Sequence, residues 1–340
     1  MLPLLVDIHV EPDDSFLKEG ERSNWSGFES GCRLLGELRK QLEDITRAPV
    51  HFSWQFRADA QIAKNYGAHG WAFTRYAREI QVLIEAGDDI GLHQHGYRWN
   101  PESHSWTEDY ASESWMEDVM SLGFEVYSRA FGKPPDTVSS GVTWTSTRLI
   151  MLAERLGARH DVTVAPGRTK AFPTELGEFT GDLPNTDGIP LHPYRPSARD
   201  FRIPAPDKSD GIWVIPLTTG RQSSGGAMRR QLRRFTGTLA RHEHISKLYL
   251  QSPREYLGPV LDPTDIAAKP SHFTLDIRSD AFRTIKNRMR IRRNLEFLSS
   301  PKRRFRPAFM TPAELIENFQ AARDAFAGPV ELQNSMEQPA

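Results

Sequence analysis

Short apolar segments alternate with amphipathic helical patterns along nearly the whole of this 340-residue chain. Strands are predicted at 4–10, 50–56, 89–92, 160–166, 212–217, 272–278 and 306–310, and near 139–140. Helices are predicted at about 29–46, 74–86, 113–131, 145–157, 226–241, 280–298 and 312–325. Such alternation favours parallel strands wrapped by helices and closed, or nearly closed, into an α/β barrel. In these barrels the chemistry takes place at the C-terminal ends of the strands.

The composition fits one large core and excludes some kinds of site. Hydrophobic residues make up 38% of the chain, and α/β barrels of this length often form a single domain. The formal net charge of −1 gives no general attraction to nucleic acid or anionic lipid. Because Cys32 is the only cysteine, an internal disulfide and a cysteine cluster for zinc are both excluded.

The chain is predicted to form one domain with a terminal tail. Residues 1–327 are expected to make the barrel, and residues 328–340 a flexible C-terminal tail. Residues 167–210 are rich in proline and have no regular period, which predicts a long loop inserted into the domain. The N-terminus lacks the pattern of a secretion signal, and no apolar run approaches the roughly 20 residues that cross a bilayer. We therefore expect a cytoplasmic protein without a membrane segment.

Two histidines follow the predicted strand 89–92. Because side chains on a strand alternate faces, His93 and His95 point the same way. Two neutral imidazoles directed at one point are suitable ligands for a divalent metal such as zinc, iron, nickel or cobalt. The alternative is that two of the eleven histidines lie close together by chance.

The first strand provides three ionisable groups on one face. Asp7, His9 and Glu11 share a strand parity, and burying all three without partners would be costly. Glu11 is nearest the C-terminal end of the strand, at the depth of the histidine pair. One carboxylate with two imidazoles is a usual catalytic metal set, and His9 or Asp7 could then act as the base. The alternative interpretation is a solvated strand end that leads into a turn around Pro12.

Several segments together resemble a known family. They are "HVEPDD" (9–14), "DIGLHQHGYRW" (89–99), "TVSSGVTWTS" (137–146), "GIWVIPLTTGR" (211–221) and "FMTPAEL" (309–315). Their order resembles a divergent cytosolic branch of the polysaccharide deacetylases, with a NodB-homology domain related to carbohydrate esterase family 4. The resemblance implies a distorted (β/α)7 barrel that removes acetyl groups from N-acetylated sugars with a divalent metal, often zinc. It places Glu11, His93 and His95 as metal ligands.

The sequence departs from the family pattern at the catalytic positions. His9 stands at the base position, with Asp7 two residues earlier; another alignment makes Asp7 the base and His9 a ligand. Ser139 or Ser140 replaces the family's third-motif arginine. The family's late histidine is absent, and Asp276 or Asp280 lies nearer to where the acid is expected. The alternative function is therefore a catalytically impaired carbohydrate-binding or scaffolding protein.

Candidate substrate contacts complete the prediction. Aromatic faces bind the apolar face of a sugar ring, although each tryptophan could equally pack in the core. The candidates are Asp14, Trp99, Trp144, His192, Tyr194 and Arg195. Residues 283–306 are strongly basic, which is typical of a solvated helix face and could also favour an anionic substrate such as a sugar nucleotide. The expected partner is a carbohydrate or sugar nucleotide, and no nucleic acid.

Overall fold

The computed structural model describes residues 2–14, 17, 20–168, 179–223, 243–254, 256–257, 271–300 and 306–327. The strands are β1 (Leu2–Val10), β2 (Ser53–Arg57), β3 (Asp89–Gln94), β4 (Tyr97–Asn100), β5 (Ser105–Asp109), β6 (Thr137–Ser140), β7 (His160–Asp161), β8 (Phe179–Thr180), β9 (Trp213–Val214), β10 (Thr219–Ser223), β11 (Glu243–Lys247), β12 (Phe273–Arg278) and β13 (Pro307–Phe309). The α-helices are α1 (Ser26–Thr46), α2 (Ala60–Tyr66), α3 (Trp71–Arg75), α4 (Ala77–Glu85), α5 (Glu113–Phe131), α6 (Thr147–Arg155), α7 (Ile285–Ser299) and α8 (Pro312–Ala327). Short 3₁₀ helices span Gly141–Thr143 and Ser279–Arg283.

The main sheet is parallel and curls into a barrel. Its strand order is β12-β1-β2-β3-β6-β7-β9, and β13 pairs with the start of β1. Backbone hydrogen bonds continue from the segment after β9 back to β12: the Thr218 N–H donates to the Thr274 carbonyl at 2.9 Å, and the Leu248 N–H to the Thr218 carbonyl at 2.8 Å. The parallel, curled sheet with helices outside it confirms the predicted α/β class and the distorted (β/α) barrel.

The first helix shows how the sequence builds the outer layer. Leu35, Leu38 and Leu42 recur at helical spacing on α1 and are buried against the sheet. The helix begins where the Asp13 carboxylate accepts hydrogen bonds from the Ser26 and Gly27 N–H groups, which satisfies donors that every helix start leaves open. These contacts also hold the loop that follows β1 in place.

Several elements differ from the sequence prediction. The strands expected at 160–166 and 212–217 contain only two residues each, and the helix expected at 74–86 is divided into α3 and α4 at Tyr76. The hairpin β4–β5 and the antiparallel pair β10–β11 were not predicted. The helix expected at 226–241 and the tail at 328–340 lie outside the described residues. None of the described helices is long and apolar enough to cross a bilayer.

Candidate metal centre

Three of the predicted ligands converge at the C-terminal end of the barrel. Glu11 follows β1, and His93 and His95 lie at the end of β3, with β2 paired between these strands. The Nε2 atoms of the two histidines are 3.0 Å apart. Glu11 Oε1 is 3.8 Å from His93 Nε2, and Glu11 Oε2 is 3.5 Å from His95 Nε2. All three side chains are buried. Their convergence agrees with the alternation of side chains along the strands, which predicted that His93 and His95 point the same way.

The second ring nitrogen of each histidine is also held. His93 Nδ1 is hydrogen-bonded to Ser139 Oγ at 2.7 Å, and His95 Nδ1 to Glu108 Oε2 at 3.2 Å. Glu108 in turn accepts a hydrogen bond from the Tyr110 hydroxyl. Metal-binding histidines characteristically have such a partner, because it fixes the ring orientation. Ser139 and Glu108 therefore hold the two rings in place.

Cations surround Glu11 in addition to the histidines. Arg278 Nε lies 3.5 Å from Glu11 Oε1, and Arg57 Nη1 lies 3.6 Å from Oε2. Burial alone would raise the pKa of Glu11, but the charges of Arg278 and His95 hold it well below its usual value. Arg57 is already paired with the buried Asp59 through two hydrogen bonds of 2.7 and 2.9 Å. The two arginines were not singled out in the sequence, because their strands carry no recognisable motif.

A second group of charges lies beside the first. His9 Nε2 is 2.9 Å from Asp7 Oδ2, and His9 Nδ1 is 3.6 Å from Asp276 Oδ1. Lys247 forms an ion pair with Asp276, and the His9 ring stacks on His93 with centroids 4.0 Å apart. Burial alone would lower the pKa of His9, but the charges of Asp276 and Asp7 raise it above its usual value. Both nitrogens of His9 thus face carboxylates: Asp7, which the sequence placed on the same strand face, and Asp276, which the sequence did not place beside His9.

The two histidines of the pair differ electrostatically. Burial, followed by the charges of His9 and His95, lowers the pKa of His93 well below its usual value, so this imidazole is neutral. Burial also disfavours charge on His95, but the neighbouring carboxylates Glu108 and Glu11 raise its pKa to about 9. A proton and a metal ion would therefore compete for His95.

The residues present fit a divalent metal. Within the described chain, one ligand atom each from His9, Glu11 and His93 lie within 4.8 Å of one another, and the same holds for Asp7, His9 and Asp276. Glu11 Oε2 is buried and has no hydrogen-bond partner among the described residues. A carboxylate whose Oε1 lies 3.8 Å from one imidazole nitrogen and whose Oε2 lies 3.5 Å from another is a donor set suited to zinc and neighbouring transition metals.

Comparison with known proteins gave structural likenesses only. No family model and no curated protein matches the sequence. The PuuE allantoinase is similar over 94% of this chain and 90% of its own, with 14% identity and a TM-score of 0.48. A provisionally assigned polysaccharide deacetylase from Mycobacterium smegmatis covers 100% and 95%, with 11% identity and a TM-score of 0.48. The peptidoglycan deacetylase PdaC from Bacillus subtilis covers 96% and 95%, with 7% identity and a TM-score of 0.41.

Two of the predicted substrate contacts lie near the centre but differ in exposure. Tyr97 stacks on the His95 ring at 5.2 Å, and the half-buried Trp99 follows it on β4, packed against Trp106 at 5.2 Å. Trp144 is buried: its ring stacks on Tyr110 at 5.4 Å, and its Nε1 donates to a backbone carbonyl. Trp99 is thus partly accessible, with Lys64 Nζ 4.8 Å from its ring centroid, whereas Trp144 packs in the core.

Asp14 lies in the loop after β1 and is exposed. Its carboxylate accepts a hydrogen bond from Ser23 Oγ at 2.7 Å and lies 3.3 Å from Arg283 Nη1. The side chain thus ties the loop to the segment that follows β12. It remains near the C-terminal end of the barrel.

The remaining predicted contacts are not brought to the centre. The Tyr194 hydroxyl donates to the Phe201 carbonyl and is buried. Arg195 lies over the Trp213 ring at 4.5 Å, and the His192 ring stacks on a phenylalanine of α8 at 6.0 Å. These three residues belong to the segment before β9, which pairs antiparallel with β9 through Tyr194 and Val214. Their side chains therefore make their contacts around β9 and α8.

Proposed function

We propose that this chain is a metal-dependent hydrolase that removes the acetyl group from an N-acetylated sugar or polysaccharide precursor. One observation carries the proposal: donor atoms of Glu11, His93 and His95 lie 3.0–3.8 Å from one another at the C-terminal end of the barrel. A carboxylate with two imidazoles leaves positions open for water and substrate. The sugar substrate is supported by the order of the sequence motifs.

The chemistry divides between the metal and the protein. When bound, a divalent ion, proposed as zinc with cobalt, nickel or iron as substitutes, supplies Lewis-acid polarisation of the acetamido carbonyl. Asp7, His9 and Asp276 handle protons as one unit, because both ring nitrogens of His9 face carboxylates. This unit accepts a proton from the attacking water and returns one to the leaving amine. Lys247 keeps Asp276 ionised.

Metal analysis tests the centre directly. Purified wild-type protein is expected to contain one divalent ion per chain, and Glu11→Ala and His93→Ala at least tenfold less, because each loses a ligand. His104→Ala, at an exposed histidine, is the matched control and is expected to retain the ion. Elemental analysis by mass spectrometry provides the measurement. Wild-type protein without stoichiometric metal would contradict the proposal.

Activity separates the proposal from its alternative. Release of acetate from N-acetylglucosamine oligomers is expected with the metal-loaded protein and is expected to stop after chelation. Oligomer binding without acetate release, in protein that holds its metal, would favour a carbohydrate-binding module.

A further inference from the structure

Each carboxylate oxygen of Glu11 faces one imidazole and one guanidinium group. Oε1 lies 3.8 Å from His93 Nε2 and 3.5 Å from Arg278 Nε. Oε2 lies 3.5 Å from His95 Nε2 and 3.6 Å from Arg57 Nη1. The imidazoles can bind a metal ion, whereas a guanidinium group stays protonated and cannot. Glu11 is therefore shared between a site for a cation and two fixed positive charges.

The segment that carries Arg278 also holds the backbone of Glu11. Strands β1 and β12 pair in parallel, with His9 opposite Arg278, so Glu11 lies just beyond the last pair. Ser279 Oγ accepts a hydrogen bond from the Glu11 N–H and donates one to the Glu11 carbonyl, both at 3.0 Å. These contacts, one residue away from Arg278, fix its charge beside the carboxylate.

The two arginines differ in their other partners and in exposure. Arg57 is fully buried and donates hydrogen bonds of 2.7 and 2.9 Å to Asp59. Arg278 also lies 3.4 Å from Asp280, but the charge of Glu11 has the larger effect and raises the pKa of Arg278. The Arg278 side chain is 37% exposed, so it can be replaced without opening the buried pair that Arg57 forms.

A fixed positive charge beside a metal ligand opposes metal binding. Before an ion binds, Arg278 stabilises the buried, ionised carboxylate of Glu11. After an ion binds, the same charge repels it, and this repulsion is larger in a buried site than in water. Both effects lower the affinity of the centre for a metal ion. They also leave more positive charge on the ion, because Glu11 donates less to it.

We propose that Arg278 acts through Glu11 as a positioning residue that limits the affinity of the metal centre for its ion. An ion that keeps more of its charge polarises the acetamido carbonyl more strongly. This benefit for catalysis rests on the proposed function, whereas the effect on affinity requires only that the centre binds a divalent ion. The sign of the effect is decisive, because replacing a residue that merely shapes the site would weaken binding.

Zinc binding by substituted proteins tests the inference. Arg278→Gln removes the charge and keeps an N–H donor, whereas Arg278→Met keeps the apolar stem. Arg278→Lys keeps the charge and is the conservative control. Arg202→Gln, at an exposed arginine, is the matched control for the loss of one charge. Circular dichroism first establishes that each protein is folded, and competition with a chromogenic chelator at pH 8 then measures the Kd for Zn²⁺.

The two neutral variants are expected to bind Zn²⁺ about tenfold more tightly than the wild type, and Arg278→Lys and Arg202→Gln within about twofold of it. An affinity of the folded neutral variants equal to or weaker than that of the wild type would overturn the proposal. So would the same gain in Arg202→Gln, which would indicate an effect of net charge alone. Failure of both neutral variants to fold would also overturn it, since Arg278 would then be a structural residue.

Acetate release by the same proteins separates this inference from the proposed function. Tighter zinc binding by the neutral variants, without acetate release by the wild type, would support the inference and count against only the proposed function. Acetate release by the wild type, with a zinc affinity that the substitutions leave unchanged, would do the reverse. Absence of zinc binding in every protein of the series would overturn both.

Discussion

Ionisable side chains form a continuous series through the interior of the candidate site. Lys247, Asp276, His9 and Asp7 contact one another in that order, every side chain in the series is buried, and burial raises the pKa of Asp7. Buried charges of this kind are stable only with partners, because desolvation is not otherwise offset. The effect of a substitution here on stability therefore depends on which ionisable group is left without a partner.

Lys247→Met is expected to destabilise the fold by about 3–5 kcal/mol, because it leaves the fully buried Asp276 without its cation. Lys247→Arg keeps the charge and serves as the control, with an expected loss of less than half as much. Urea unfolding at pH 7 measures both. A methionine variant as stable as the wild type would show that Asp276 is not ionised in the folded protein.

Glu108→Gln tests the support behind the metal centre. The substitution keeps the shape of the side chain but removes the charge that faces His95 Nδ1, and zinc affinity is expected to fall about 10- to 100-fold. The exposed Glu102→Gln is the matched control. Competition with a chromogenic chelator measures the zinc affinity. An unchanged zinc affinity in Glu108→Gln would show that Glu108 does not support the metal centre.

The hairpin β4–β5 is the element that extends the centre outward. It begins two residues after His95, and its rings form a series in which Tyr97 contacts His95 and Trp106 contacts both Tyr97 and Trp99. Gly141 allows the neighbouring strand end to approach closely, because a Cβ there would collide with the His95 ring. The hairpin therefore places an aromatic surface directly beside the proposed ligands.

The two tryptophans predicted as sugar contacts are expected to behave differently. Trp99→Ala is expected to raise the KM for acetylated oligosaccharides roughly threefold to tenfold with little change in kcat, because a stacking face is lost. Trp144→Ala is expected to cost about 3–5 kcal/mol of stability, since this ring is buried against Tyr110. Steady-state kinetics and urea unfolding distinguish them. A raised KM in Trp144→Ala together with a loss of stability in Trp99→Ala would instead indicate that Trp144 stacks on the sugar.

At the scale of the whole molecule, buried titratable groups set the response to acid. Burial raises the pKa of Asp161 to about 6 and lowers that of His160 to about 4. A carboxyl with a raised folded-state pKa binds more protons when folded, so its contribution to stability falls as the pH rises from about 4 to 6. A histidine with a lowered pKa has the opposite effect, and stability is lost as the pH falls from about 6.5 to 4. The two effects partly offset each other.

Asp161→Asn is expected to leave stability at pH 4 nearly unchanged and to raise it at pH 7 by on the order of 3 kcal/mol. The shift from 3.8 to about 6 corresponds to that amount at 1.36 kcal/mol per unit. Asparagine can keep the hydrogen bonds to the Thr163 N–H and hydroxyl. Urea unfolding across this pH range measures the effect, with the exposed Asp187→Asn as control. Parallel profiles for Asp161→Asn and the wild type would show that the pKa of Asp161 is not raised in the folded protein.

Much of this molecule could be predicted from local pattern. The alternation of strands and helices predicted the barrel, and strand parity predicted that Glu11, His93 and His95 face one point; both properties repeat over a few residues. The cations around them could not be predicted in the same way. Arg57 and Arg278 reach Glu11 from two different strands, and Lys247 reaches Asp276 from a third, so only the tertiary structure brings these charges together.

The sequence by itself thus determined the fold class and which side chains share a strand face, because these follow from spacing along one segment. Only the tertiary structure decided that His9 lies between two carboxylates, that Trp144 is buried while Trp99 is half-buried, and that Tyr194 and its neighbours lie away from the centre. These properties depend on contacts between segments that are distant in the chain. Pairing and burial, and not residue type, set the charge and accessibility of such groups.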